Sequence, residues 1–256
     1  MEPKHLEANT GLKWIKKGYA LFMQAPLLWI VLLVICFVAA AALSAVPVVG
    51  EPLASLLMPV VVIGLMSGCR SLEMGDELEL AHLVSGFQKH TSHLITLGGI
   101  ALVSQYLIFG AMVAVGGATL VSILMGNQAP ADPEVFQQAI NGAGIAVILG
   151  AGAFTLLLMS MQFAPMLVFF RDVAPIAAMK LSLRAFTGNV GAMFMYGMAF
   201  LLLAILASMP MMLGWLVLMP MVFTTMYASF CDIFPEEKVA DETAVETTDF
   251  DNQTGF

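Results

Sequence analysis

Charge is what this chain has least of. Only 11% of its 256 residues are Asp, Glu, Lys or Arg, while 60% are hydrophobic. Soluble domains carry about 25% charged residues, so water is not the main solvent for this chain. No Asp, Glu, Lys, Arg or His falls in the middle of any of its six long apolar stretches. Ionisable groups at membrane depth mark proton relays and ion paths, and their absence argues against a proton-coupled carrier or pump. Cysteine is scarce as well. Of the three, Cys36 lies inside the first stretch and Cys69 and Cys231 at the ends of the second and sixth, so no structural disulfide is expected. No nucleophile–base pair or metal-ligand cluster is visible within a stretch, which argues against an intramembrane enzyme. Nothing in the composition suggests nucleic-acid binding.

Positive charge is missing from every second connection. Lys4, Lys13, Lys16 and Lys17 precede the first stretch, Arg70 and Lys89 separate the second and third, Arg171, Lys180 and Arg184 separate the fourth and fifth, and Lys238 follows the sixth. The other three connections hold only Glu51, Asp132 and Glu134. By the positive-inside rule this pattern predicts six transmembrane helices with both termini in the cytoplasm. The expected spans are 27–46, 53–69, 95–118, 143–169, 190–209 and 211–230, within one membrane domain, 1–234. Ala42-Leu43-Ser44-Ala45 could pass for a signal-peptide cleavage site, but the apolar run before it is of span length, so it reads as a retained helix. The net charge of -8 is concentrated in the C-terminal tail, 235–256, where seven acids stand among few apolar residues. That tail is expected to be a disordered acidic cytoplasmic segment.

Each odd-numbered span follows an amphipathic segment. Trp14, Ile15, Gly18, Tyr19 and Phe22 form one stripe, Leu80, Leu83, Val84 and Phe87 a second, and Ile176, Met179, Leu183 and Phe186 a third. Such helices are expected in the interface plane, with Trp14, Lys16, Lys17, Lys89, Lys180 and Arg184 facing lipid headgroups. The resulting fold class is all-α: three parallel helical-hairpin repeats, each preceded by a cytoplasmic interfacial helix. Leu57-Met58-Pro59-Val60-Val61 and Leu218-Met219-Pro220-Met221-Val222 are the best-matched pair, and Ala164-Pro165-Met166 is a weaker third copy.

Few residues remain to carry chemistry. Ser104 and Gln105 in the third span and Ser160 and Gln162 in the fourth are the polar intramembrane candidates. They serve either as interhelical glue or as a polar substrate site. Pro59, Pro165 and Pro220 each remove a backbone donor within a span and are expected to kink it. Small residues such as Gly110, Ala114, Gly144 and Gly152 would let the third and fourth spans pack closely on each other or on a partner. The abundant methionines read as apolar filler rather than a copper site, and His82, His90 and His93 as headgroup-facing groups. No cofactor is expected.

Several local sequences resemble a family of bacterial six-span inner-membrane proteins without an assigned activity. They are Trp14 with Phe22-Met23-Gln24-Ala25-Pro26, Leu57-Met58-Pro59, Gly68-Cys69-Arg70-Ser71-Leu72, Phe163-Ala164-Pro165, Ala177-Ala178-Met179-Lys180, and the ending Tyr227-Ala228-Ser229-Phe230-Cys231-Asp232-Ile233-Phe234. The family pattern has a basic residue where Cys231 stands. More distantly the layout is similar to the membrane domain attached to some glycerophosphodiester phosphodiesterases, which is not their catalytic part. The resemblance implies fold and bacterial inner-membrane location, with no site residues. The expected role is a non-enzymatic accessory, assembly or scaffold subunit that binds membrane lipids and a membrane-protein partner or a second copy. The alternative is a transporter or channel for a lipid-like or neutral small molecule.

Overall fold

The computed structural model describes residues 2–124, 133–209 and 211–236, without the side chains of 118–124 and 133–142. Among the described residues the chain is all-helical. In chain order the elements are α1 (Thr10–Phe22), α2 (Pro26–Ser44), α3 (Gly50–Met74), a 3-10 helix (Leu80–Phe87), α4 (Thr91–Leu124), α5 (Pro133–Met161), α6 (Ala164–Arg171), α7 (Pro175–Gly188), α8 (Val190–Ser208) and α9 (Trp215–Ile233). Six segments are long and apolar enough to cross a membrane: 26–44, 50–74, 91–117, 143–171, 190–208 and 215–233. The turn expected around 126–133 and most of the acidic tail lie outside the described residues.

The sequence-derived boundaries shift where backbone geometry overrides hydropathy. α3 runs past Arg70 and Glu73 and stops only at Gly75 (φ +88°), where Gly75 N–H donates to Leu72 O and Asp76 N–H to Ser71 O. This left-handed cap satisfies carbonyls that the helix end would otherwise leave open. At the other end of the bundle, Met211 and Met212 both have positive φ (50° and 66°). That bend delays the sixth span to Trp215. The second amphipathic segment is a 3-10 helix rather than an α-helix. A capping box closes its start, in which Glu79 and His82 exchange side-chain-to-backbone bonds.

The core lies toward the end of the bundle where the α3, α6 and α9 chains finish. Trp14, Trp29, Phe163, Phe230 and Phe234 are its large fully buried side chains. In lipid, burial of apolar surface drives helix association weakly, so close packing and hydrogen bonds must do more. Glycines supply the close packing. A Cβ on Gly18 of α1 would lie 2.7 Å from Thr225 N and 2.8 Å from its Cα, and one on Gly11 would lie 2.8 Å from Tyr196 N. α1 therefore sits backbone to backbone on α8 and α9. Gly64 plays the same part between α3 and the 3-10 helix, where its Cβ would meet Leu83 O at 2.7 Å.

This docking corrects one expectation. Trp14, assigned to the lipid-facing surface, is fully buried. Its ring stands edge-on to Tyr196 at 6.1 Å, and its indole N–H donates to Asp232 Oδ2 at 3.0 Å. The stripe of α1 faces protein because Gly11 and Gly18 flank Trp14 on the same helical face and allow the approach.

The fourth span is broken between α5 and α6. In an uninterrupted helix Phe163 N–H would donate to Met159 O. Here the hydroxyl of Ser182, on α7, is inserted between them. It accepts from Phe163 N–H at 3.0 Å and donates to Met159 O at 2.7 Å. Pro165, near the start of α6, cannot supply a donor to the preceding turn, so the break is set by the sequence. Ser182 is fully buried, as are Ala178 and Ala185 on the same face of α7. Pro59 and Pro220, by contrast, lie buried inside α3 and α9, which remain single helices.

Two substitutions test these contacts. Ser182→Ala strips a buried N–H and a buried C=O of their partner, each omission costing about 1–3 kcal/mol. Its thermal unfolding midpoint in detergent should fall well below that of the wild type, and an equal midpoint would contradict the insertion. Gly18→Val forces α1 off Thr225, and limited proteolysis should then cut within residues 10–22, which should resist cleavage in the wild type.

Candidate functional site

Polar side chains converge at the same end of the bundle, from elements far apart in sequence. Asp232, in the last turn of α9, receives Trp14 and pairs with Lys17 Nζ through its other oxygen at 2.6 Å. One carboxylate thus ties two side chains, three residues apart on α1, to α9. The N-terminal segment is held beside it. Lys4 N–H donates to Ile233 O at 2.9 Å. Asn189, buried at the α7–α8 junction, accepts from Leu6 N–H at 2.8 Å and donates to Lys4 O at 3.0 Å and Ala185 O at 2.9 Å.

Arg70 near the end of α3 and Arg171 at the end of α6 approach one another at a single acceptor. Arg70 Nη2 lies 3.0 Å and Arg171 Nη1 2.9 Å from the same oxygen, Oε1 of Glu236. Each guanidinium rests on an aromatic ring, Arg70 on Phe170 at 5.3 Å and Arg171 on Phe230 at 5.8 Å. Arg171 Nη2 also donates to Phe234 O at 2.8 Å. Both cations are therefore oriented before any ligand arrives. Tyr227, buried, donates to Glu73 Oε2 at 2.6 Å on the opposite wall. Between these groups lies a cavity of about 440 Å³. A second cavity of about 420 Å³ adjoins it across Arg70, Met74 and Phe170, and Ser67, Ser71 and Lys89 line its far side.

A second ion cluster sits nearby. Asp172, left-handed after α6, accepts from Lys89 Nζ at 3.1 Å and lies 2.5 Å from His90 Nε2. Lys89 and His90 hold its carboxyl below the usual carboxylate range. Lys17 and Lys89 thus pair with acids of the protein itself, and Lys16, Lys180 and Arg184 are exposed.

Among the described residues no hydrogen bond joins the intramembrane polar candidates of the third and fourth spans to one another. Gln105 is exposed on α4, Ser104 is half-buried, and Gln162 is half-buried at the α5–α6 break. Ser160 Oγ donates to Leu156 O, and Thr155 Oγ1 to Ala151 O, one turn back in their own helix. The pairing of Arg70 with Arg171, the insertion of Ser182 and the clasp at Asn189 were not read from the sequence. Their one trace there is that Arg70, Arg171 and Asp232 each end an even-numbered span.

Six apolar helices, with these ion clusters gathered at one end, define an all-helical multi-pass membrane protein. The chain belongs to a family of bacterial inner-membrane proteins. It is 32% identical over 248 residues to a probable inner membrane protein of Burkholderia thailandensis, covering 90% of this chain and 91% of that relative. No family model matches the chain, and no solved structure matches it.

Arg171 first, and Arg70 with it, hold the Glu236 carboxyl below its usual range. A lowered carboxylate pKa means the ion pair contributes above the pH at which a free glutamate titrates and is lost as pH falls through the lowered value. Glu236 is largely exposed, so the stabilisation is small. In carbon-13 titrations the Glu236 carboxyl should titrate below a free glutamate. Arg171→Gln should move it back toward the ordinary value, and an unmoved titration would contradict the pairing.

Proposed function

We propose that this protein is a non-enzymatic accessory or scaffold subunit of the inner membrane, binding lipid and a membrane-protein partner. In this reading the charged end faces the cytoplasm, as the positive-inside rule requires. The three segments α1, the 3-10 helix and α7 each introduce a helical hairpin, and the hairpins are parallel repeats of one unit.

The observation that carries the reading is the open surface of α4 and α5. Leu107 is 68% exposed and Ile148 73% exposed. On the same two helices, a Cβ added at Gly110, Gly144 or Gly152 would meet nothing within 4 Å. Gly11, Gly18 and Gly64, by contrast, are spent on close backbone contact within the protein. Those on α4 and α5 leave room for the backbone of another helix to come equally close. A carrier reading draws less support, because the serine and threonine hydroxyls of α5 close onto their own helix and Gln105 points outward to the surface.

The test is purification of the full chain from native membranes in mild detergent, with mass spectrometry of everything retained. A second protein should be recovered in stoichiometric amount, and the Gly110→Leu, Gly144→Leu, Gly152→Leu triple variant should lose it. The Gln105→Leu, Gln162→Leu double variant should keep it. Recovery of the chain with a small molecule and no protein partner would contradict the scaffold reading and favour transport.

A further inference from the structure

We propose that Arg70 and Arg171 form a binding site for a phosphate ester, and that Glu236 is an internal occupant standing where the phosphate would sit. The inference deepens the lipid-binding part of the function proposed above and rests on the charged end lying at headgroup depth.

Two of the chain's three arginines meet at this point. Two guanidinium groups so close repel one another, and the carboxylate that bonds both is that of Glu236; Glu73 and Asp232 line the same cavity but are engaged by Tyr227 and by Trp14 and Lys17. Neither cation is free to leave. Arg171 has a side chain only 12% exposed and is fixed by Phe234 O and the Phe230 ring, and Arg70 lies over Phe170. Such an arrangement is costly unless an anion completes it, since buried cations need partners. Glu236 completes it poorly. It is 58% exposed and offers one oxygen to both arginines. Arginine forks match phosphate in bidentate fashion, and a phosphate has enough oxygens to serve each guanidinium separately.

The surroundings fit the rest of such a ligand. The second cavity opens from Arg70, and Lys89 lies on its wall. Ser67 also lines it, and its buried hydroxyl has no hydrogen-bond partner among the described residues. That unpartnered hydroxyl, on a wall shared with Arg70 and with Lys89, whose ammonium pairs with Asp172, suits the ester or glycerol oxygens of a phosphate compound. Phe169, Phe170 and Met74 on the same wall provide the apolar surface that the first carbons of an acyl chain would take. The chemistry is shared by two sources, an anionic phospholipid headgroup and a water-soluble phosphate ester.

Glu236 also stands at the head of an acid-rich stretch that continues through Glu237, Asp241 and Glu242. The occupant is therefore attached to the chain and competes intramolecularly. Phosphate compounds must displace it.

The experiment uses the full chain in detergent, and the probes are short-chain phosphatidic acid, short-chain phosphatidylcholine and glycerol 3-phosphate. Binding is followed by native mass spectrometry or calorimetry. Glu236→Gln removes the internal competitor at an exposed position and should tighten phosphatidic acid about threefold to fivefold, the worth of a surface ion pair. Arg70→Gln should weaken it about tenfold or more, the worth of a charge-assisted hydrogen bond. Arg70→Lys, which keeps the charge but not the fork, should weaken it by less than Arg70→Gln. Glycerol 3-phosphate binding as tightly as the lipid identifies a soluble ester as the ligand. Preference for the lipid, with phosphatidylcholine weaker than phosphatidic acid, identifies the headgroup. Failure of all three probes in both wild type and Glu236→Gln overturns the proposal. Lipid retention that is equal in wild type, Glu236→Gln and Arg70→Gln also overturns this site, and it leaves the broader lipid-binding reading standing.

Discussion

The hydroxyl of Ser182 holds the fourth span together, and much of the charged end depends on it. In hydrocarbon an open backbone N–H or C=O costs several kcal/mol, so spanning segments must satisfy every such group internally. The chain breaks this rule between α5 and α6 and restores it with a side chain from α7. The repair does more than close a gap. It fixes α7 against both halves of the span and sets the direction in which α6 leaves. The end of α6 places Arg171 beside Arg70, and Phe170 under the guanidinium of Arg70. A continuous helix through residue 163 would carry those side chains along a different axis.

The three amphipathic segments follow the same principle. Each was expected as a skirt lying in the membrane surface; α1 buries Trp14, Gly18 and Phe22 of its stripe in the protein, while the other two dock one face and leave Leu80, Val84, Phe87 and Ile176 exposed. α1 rests on α8 and α9 through Gly11, Gly18 and Trp14, the 3-10 helix rests on α3 at Gly64, and α7 rests on the break through Ala178, Ser182 and Ala185. The large buried side chains consequently gather where the ion clusters lie. The α4–α5 hairpin remains open at Gly110, Gly144 and Gly152. One end gathers fixed ion clusters, while the open hairpin presents an apolar face.

What the sequence disclosed and what it withheld follow from the range of the forces involved. Span positions are legible because hydropathy is a local sum over about 20 residues. The amphipathic stripes are legible for the same reason, as periodicity within one segment. Periodicity cannot say whether a stripe meets lipid or protein, and so Trp14 was misplaced. Its partner Asp232 lies at the far end of the chain. Pro165 advertised a break in the fourth span, but a lone serine on an amphipathic helix gives no sign that it will repair one. Arg70 and Arg171 were seen only as topological markers, because their convergence depends on how α3 and α6 end, through Gly75 and the left-handed Asp172.

The central claim is that the segments at the charged end are built into the protein as walls and do not float on the membrane surface. Hydrogen exchange of the full chain in lipid nanodiscs measures this most directly. Backbone amides within α1 and α7 should exchange as slowly as those of α3, and far more slowly than that of the exposed Glu77 in the loop after α3. Exchange of α1 and α7 at the rate of Glu77 would contradict the claim.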